Sequence, residues 1–268
     1  MMEGRVSLEF RIVLLAAWAA LCFLAFPIFV AAPVSLTPER FLSFPKGEIS
    51  WGHYEAFLTS DRWLASIGRS ALIGAISSAV AVIVGTTAAI GLWRISSRAT
   101  EYLRAMILAP MIIPPIISAL AFYRLWGQLG WLDSYFGVIL AHSILAMPYV
   151  VITVSASLAN LDMRLEQAAR GMGASMWQTV TRVIIPNIKV GIASGAIFAF
   201  IVSWDEIVVT LFIARRAVIT LPRMIWDGIR DNVDPTVAVC ATLLVLITIL
   251  VLSIQLILPN RKLPKSNG

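Results

Sequence analysis

The sequence predicts an all-α, polytopic membrane protein, and three observations carry that prediction. Of its 268 residues 59% are hydrophobic and only 13% are charged, against roughly a quarter charged in soluble domains. The mean hydropathy is +0.85. The charges leave long gaps, with Arg11 to Glu39, Arg69 to Arg94, Arg104 to Arg124, Asp133 to Asp162 and Asp234 to Arg261 each bracketing an uncharged run. A helix needs about 20 apolar residues to cross the hydrocarbon, where irregular backbone cannot face lipid. An ordinary soluble domain is excluded, and so is a disordered chain, which needs the opposite composition. The net charge of +6 comes from Lys and Arg scattered singly, so no nucleic-acid partner is expected. Cys22 and Cys240 both sit in apolar runs and read as small buried hydrophobes; neither a metal nor a cofactor is expected.

Taken in order, the spans are expected at about 12–33, 70–93, 105–123, 135–158, 190–213 and 237–258, in a single transmembrane domain over 1–268. The first ends near Ala31-Ala32, but its apolar run exceeds the about 7–15 residues of a signal core, so it reads as an uncleaved anchor. Between the first two spans, Trp51, Tyr54, Phe57 and Leu58 recur at helical spacing after the breakers Pro38, Pro45 and Gly47, which predicts a short interfacial helix.

Pro110, Pro114 and Pro115 interrupt the third span, and Met147-Pro148 the fourth. Each proline removes a backbone hydrogen bond, so both helices are expected to break or kink, and freed carbonyls must be buried or line a wet cavity. His142 in the fourth span reads as a satisfied interior histidine. Gly191 and Gly195 open the fifth span with a small-xxx-small pair suited to close helix approach. Asp205 and Glu206 interrupt that same span. Before the sixth, Leu221, Ile225, Ile229 and Val233 lie four apart, predicting a helix on the membrane surface. Asp227, Asp231 and Asp234 there read as a solvated face.

Counted by loop, twelve Lys and Arg fall on the side of the amino terminus, including Arg5, Arg261, Lys262 and Lys265, and nine on the other. The bias places both termini in the cytoplasm.

The segment 159–189 is the longest inner loop. A helix from about Leu161 to Arg170, a break at Gly171 and Gly173, a second amphipathic stretch and Pro186 predict a helix-turn-helix beneath the membrane. Small residues Ala168, Ala169, Gly173 and Ala174 offer a surface that another protein can approach closely.

This segment resembles the cytoplasmic EAA loop of the membrane subunits of binding-protein-dependent ABC importers. Gln167-Ala168-Ala169 falls at the triplet, Gly173 at the motif glycine and Ile185-Pro186 at its closing pair. Glutamine replaces the triplet glutamate, with Glu166 just before it, so both are candidate ATPase contacts beside Ala174. Similarity to the permeases for spermidine and putrescine continues through ISWGHYEAFL, SWDEIVVTLFI and LPRMIWDGIRDNVDPTVAVCATLLVL. That resemblance implies a type I importer permease of a bacterial inner membrane. It further implies a second related permease, two ATP-hydrolysing subunits and a periplasmic solute-binding protein. The chain has no G-x-x-x-x-G-K-[ST] phosphate loop, so it is not expected to be an enzyme.

Two carboxylates within an apolar run suit a polycation and require an aqueous cavity or compensation. Helix spacing sets Ser203, Glu206 and Thr210 on one polar stripe, leaving Asp205, next to Trp204 in the chain, to pair with a neighbouring helix. These five are the candidate pathway residues. Other small solutes within the same importer class, such as an amino-acid derivative, an opine, sulfate or ferric ion, stay open. A secondary transporter is the alternative from another class; neither half of this sequence resembles the other, as its inverted repeats would require.

Overall fold

The computed structural model describes residues 8–95, 97–231 and 233–257, and every regular element among them is helical. In chain order these are α1 (Leu8–Ser35), α2 (Gly52–Thr59), α3 (Asp61–Arg94), α4 (Arg98–Ile112), α5 (Pro115–Leu129) and α6 (Tyr135–Ala159). There follow α7 (Met163–Gly171), α8 (Met176–Thr179), a π-helical stretch Val180–Ile184, α9 (Ile185–Asn187), α10 (Lys189–Asp205), α11 (Val208–Ile213), α12 (Leu221–Asp231) and α13 (Thr236–Ile257). Arg5, Arg261, Lys262 and Lys265, on which the orientation count draws, lie outside the described residues.

Three of these helices, α3, α6 and α13, are each long and apolar enough to cross a membrane. Two further candidates are bent pairs. Helices α4 and α5 meet at 106°, and the helical stretch Met176–Asn187 meets α10 at 73°. The first bend falls where the proline arithmetic places it. Ile113, ahead of Pro114, turns extended (φ −71°, ψ 129°), and Pro115 occupies the first turn of α5, because a residue before proline avoids the α region while proline itself suits a helix start. Pro148 does not break its helix. Helix α6 runs through it unbroken, with Pro148 buried, as proline inside a membrane helix can do where it is packed within protein.

The chain forms two compact units. One comprises residues 1–64 and 225–268, within which α1 and α13 pack together and α2 lies against α13. A short helix forms where one was expected, as α2. Its Tyr54 ring sits 5.1 Å from Trp51 and its hydroxyl 2.8 Å from Ser35 Oγ, while Phe57 turns inward against Trp63. Cys22 is exposed on α1 and Cys240 buried on α13, so only the second is the buried hydrophobe expected. The four-residue stripe ends early: Val233 has φ +48°, off the end of α12. Asp234 is no solvated-face residue either. Its carboxylate accepts from the N–H and hydroxyl of Thr236 at 2.9 and 2.6 Å, capping α13. The side chain of Asp231 lies outside the described residues.

The other unit spans residues 65–224 and is centred on α3, α6 and α10. Small residues decide how closely these helices approach. A Cβ on Gly191 would stand 2.2 Å from Ser157 Oγ, and one on Gly195 2.7 Å from Thr153 Oγ1. Ser77 Oγ donates to the carbonyl of Ile139 and Ser78 Oγ to that of Ala196, so two adjacent serines tie α3 to both partners. Ala81, Ala89, Val150, Val154, Leu158, Ile184 and Ala199 fill one core, and Ile73, Trp126, Val138, Val209 and Ile213 a second.

Candidate transport pathway and coupling surface

Asp205 ends α10, and Glu206 and Ile207 separate it from α11. The fifth apolar run is therefore two helices, and the single polar stripe expected from continuous helix spacing does not exist. An acid at this break has a local task. Glu206 Oε1 accepts from the N–H of Val209 at 2.9 Å, satisfying a donor that a new helix start leaves open, and the Glu206 carbonyl accepts from Thr210 Oγ1 at 3.2 Å. Glu206 is half-buried, whereas Asp205 is exposed. No described basic side chain pairs with Asp205, against the expected interhelical pair. Trp204 stacks on Phe200 with ring centroids 5.7 Å apart.

Ser203 and Thr210 are nevertheless brought together, by a side chain from another helix. His142, 1% exposed on α6, places Nδ1 2.8 Å from Ser203 Oγ and Nε2 3.0 Å from Thr210 Oγ1. One imidazole thus spans the break from its far side. The sequence reading of a satisfied interior histidine holds geometrically; spacing alone did not indicate which hydroxyls satisfy it.

A second fastening sits in the turn between α5 and α6. Asp133 adopts φ +53°, and its carboxylate accepts from the N–H groups of Arg215 (2.7 Å), Arg216 (3.1 Å) and Ala217 (3.0 Å). Burial pushes its carboxyl up, and the amides of residues 215–218 more than offset this, holding it below the ordinary carboxylate value. Successive amides converging on a carboxylate form an anion nest, and it fixes the segment after α11 to the turn before α6.

In the segment 159–189 the helix runs from Met163 to Gly171, starting under Asp162, whose carboxylate accepts from the N–H of Arg164 at 2.9 Å. Gly173 at φ +86° reverses the chain, a conformation that suits glycine. Ser175 and Gln178 then form a capping box that starts α8. The predicted site residues divide by face. Gln167, Ala168, Gly173 and Pro186 are exposed and Ala174 half-buried, but Glu166 and Ala169, each 6% exposed, face the chain's own body. Glu166 pairs with Arg94 at the end of α3, a partner that residue spacing does not select. On the open side Met172 and Trp177 are 83% and 75% exposed, with Met163, Leu165 and Met176 beside them. Of these, Met163, Leu165 and Met172 lie outside the candidate spans, where large exposed apolar side chains mark a surface for another protein.

Broken apolar helices that expose polar groups, joined to a capped helix-turn-helix, are features of the membrane permease class. The chain belongs to the family described as binding-protein-dependent transport system inner membrane components, which matches residues 81–263. It is 29% identical over 246 residues to the spermidine/putrescine transport system permease protein PotC of Haemophilus influenzae, covering 92% of this chain and 93% of that one. It is 31% identical over 198 residues to the putrescine transport system permease protein PotI of Escherichia coli, covering 71% and 70%. Its fold matches a bacterial ABC transporter that imports the acidic polysaccharide alginate, with a TM-score of 0.68 at 15% identity over 92% of both chains. The protein is thus a permease subunit of an importer, with the type I ABC importer permease fold.

Proposed function

We propose that this permease carries polyamines, spermidine or putrescine, into the cytoplasm as part of an ABC importer. It works with a second related permease, two ATP-hydrolysing subunits and a periplasmic solute-binding protein, and both its termini face the cytoplasm. The nearly full-length similarity to PotC carries the substrate class. The acids at the α10–α11 break support it, since a cation crossing an apolar region needs compensating charge. The segment 159–189 is the coupling loop, and Gln167, Ala168, Gly173, Met172 and Trp177 form the face that the ATPase meets.

Uptake of labelled spermidine and putrescine by cells that depend on this importer tests the substrate. Competition by an excess of either polyamine is expected. Uptake untouched by polyamines but abolished by another solute overturns the assignment. Gly173→Trp tests the loop. No atom lies within 4 Å of a Cβ at Gly173, so the indole would project from the coupling face, while the left-handed backbone there disfavours any side chain. ATPase association or uptake is expected to fall with membrane insertion intact. A cysteine at Ser175 is expected to label only from the cytoplasm, and one at Ser50 only from outside.

A further inference from the structure

Arg94 is the last residue of α3, and its guanidinium reaches both arms of the coupling loop. Nη2 donates to Glu166 Oε1 on α7, and Nη1 donates to the sulfur of Met176, the first residue of α8. The two acceptors lie on opposite sides of the Gly173 turn. Each arm has its own N-cap, Asp162 for one and Ser175 for the other, so the loop is already folded as a two-helix unit. Arg94 supplies a polar attachment of that unit to the apolar helix α3. The pair is secluded, with the Glu166 side chain 8% exposed and that of Arg94 20%.

We propose that Arg94 is the positioning residue that fastens the coupling loop to α3, with Glu166 as its internal counter-charge rather than an ATPase contact. This rests on the reading of 159–189 as the coupling loop. The planar guanidinium suits the task because its fork can serve two acceptors at once, which an ammonium on a flexible stem does less rigidly. The attachment has a mechanical consequence. Helix α3 is bonded through Ser77 to α6 and through Ser78 to α10. A displacement of the docked loop therefore passes to α3 at Arg94, and from α3 to the helix that ends at Asp205. Removing one partner of a secluded ion pair leaves the other uncompensated, whereas exchanging both preserves the pairing.

The test uses the assembled importer with its ATPase subunits in lipid nanodiscs and Mg-ATP as the probe. Three quantities are read: ATPase co-purification, the rate of ATP hydrolysis, and amide hydrogen exchange over residues 163–179. Arg94→Gln and Glu166→Gln are each expected to speed exchange in that segment by about tenfold and to change the hydrolysis rate while the ATPase still co-purifies. The exchanged pair R94E/E166R is expected to return both quantities to within about threefold of the wild type. Loss of ATPase association in Glu166→Gln, with no rescue by the exchanged pair, overturns the proposal and makes Glu166 a direct contact. Wild-type exchange in Arg94→Gln overturns it as well. If Arg94→Gln does not accumulate, Arg94→Lys and the exchanged pair decide: protection that tracks the presence of opposite charges supports the fastening, and protection lost in both overturns it. Failure of the coupling-loop reading itself looks different, because Gly173→Trp then leaves ATPase association and uptake unchanged whatever Arg94 does.

Discussion

His142 Nδ1 lies 2.8 Å from Ser203 Oγ, and this bond joins a histidine inside α6 to the last turn of α10. The other ring nitrogen reaches Thr210 on α11, so the imidazole holds the two helices on either side of the Glu206 break at a fixed separation. Hydrogen bonds between membrane helices contribute only about 0.6 kcal/mol each, but removal of a buried ring adds a cavity. His142→Ala is expected to lower stability by about 2–3 kcal/mol, read as a lower thermal midpoint of the purified protein in detergent. His142→Phe refills the volume without either bond and is expected to recover only part of the loss. An unchanged midpoint in both variants means that the imidazole does not hold the break.

The sequence made the helical class and most element positions legible because uncharged runs and proline chemistry act locally. The break after Ile113 follows from Pro114 and Pro115 alone, and the turn between the two loop helices from Gly171 and Gly173. Pairings between distant residues were not legible. Nothing in the spacing of α3 marks Arg94 as the partner of Glu166, 72 residues away, since any of several cationic side chains satisfies the same pattern. The polar stripe through Ser203, Glu206 and Thr210 failed for a related reason. Helix spacing presumes a continuous helix, whereas a half-buried carboxylate that accepts from the N–H of Val209 starts a second one. The hydroxyls still converge, through a histidine that only the tertiary fold brings near.

Gly195 and Gly91 separate close approach from helix propensity. A side chain at Gly195 would meet Thr153 Oγ1 at 2.7 Å and the Val150 Cα at 3.1 Å, whereas a Cβ on Gly91 meets nothing within 4 Å. Gly195→Val is therefore expected to force α10 from α6, costing about 1–3 kcal/mol, and Gly91→Ala to be neutral or stabilising by up to about 1 kcal/mol. Thermal unfolding monitored by tryptophan fluorescence checks the contrast. Equal midpoints for the two variants contradict the packing assigned to α6 and α10.

Asp133 makes a pH-dependent fastening whose sign follows from its environment. Its carboxyl is held below the ordinary value of 3.8 by the amides of residues 215–218, outweighing the upward push of burial. A group whose folded value is depressed contributes fully above its unfolded value and loses that contribution as pH falls through the folded one. Amide exchange of Arg215, Arg216 and Ala217, corrected for intrinsic rates, is expected to stay slow above about pH 5 and to accelerate below 3.8. Asp133→Asn tolerates the positive φ but removes the charge, so exchange is expected to be fast across the whole range. Protection in that variant equal to the wild type excludes a carboxylate role for Asp133.

Glu206 is the acid whose transport role can be isolated, because glutamine retains the oxygen that accepts from the N–H of Val209 and loses only the charge. Opposite charges about 4 Å apart attract by about 1 kcal/mol in bulk water and by about 4 kcal/mol at the effective dielectric near a protein surface. A half-buried carboxylate on a cation route should therefore matter well beyond its exposed neighbour. Glu206→Gln is expected to reduce spermidine uptake by at least about tenfold, with insertion, ATPase docking and thermal stability close to wild type. Asp205→Asn, which leaves no partner buried and unpaired, is expected to fold normally and to have the smaller effect. Uptake is measured with each variant at wild-type abundance, so that a folding defect cannot pass for a transport defect. Unimpaired uptake in Glu206→Gln removes this carboxylate from the route and leaves polyamine specificity to the similarity with PotC alone.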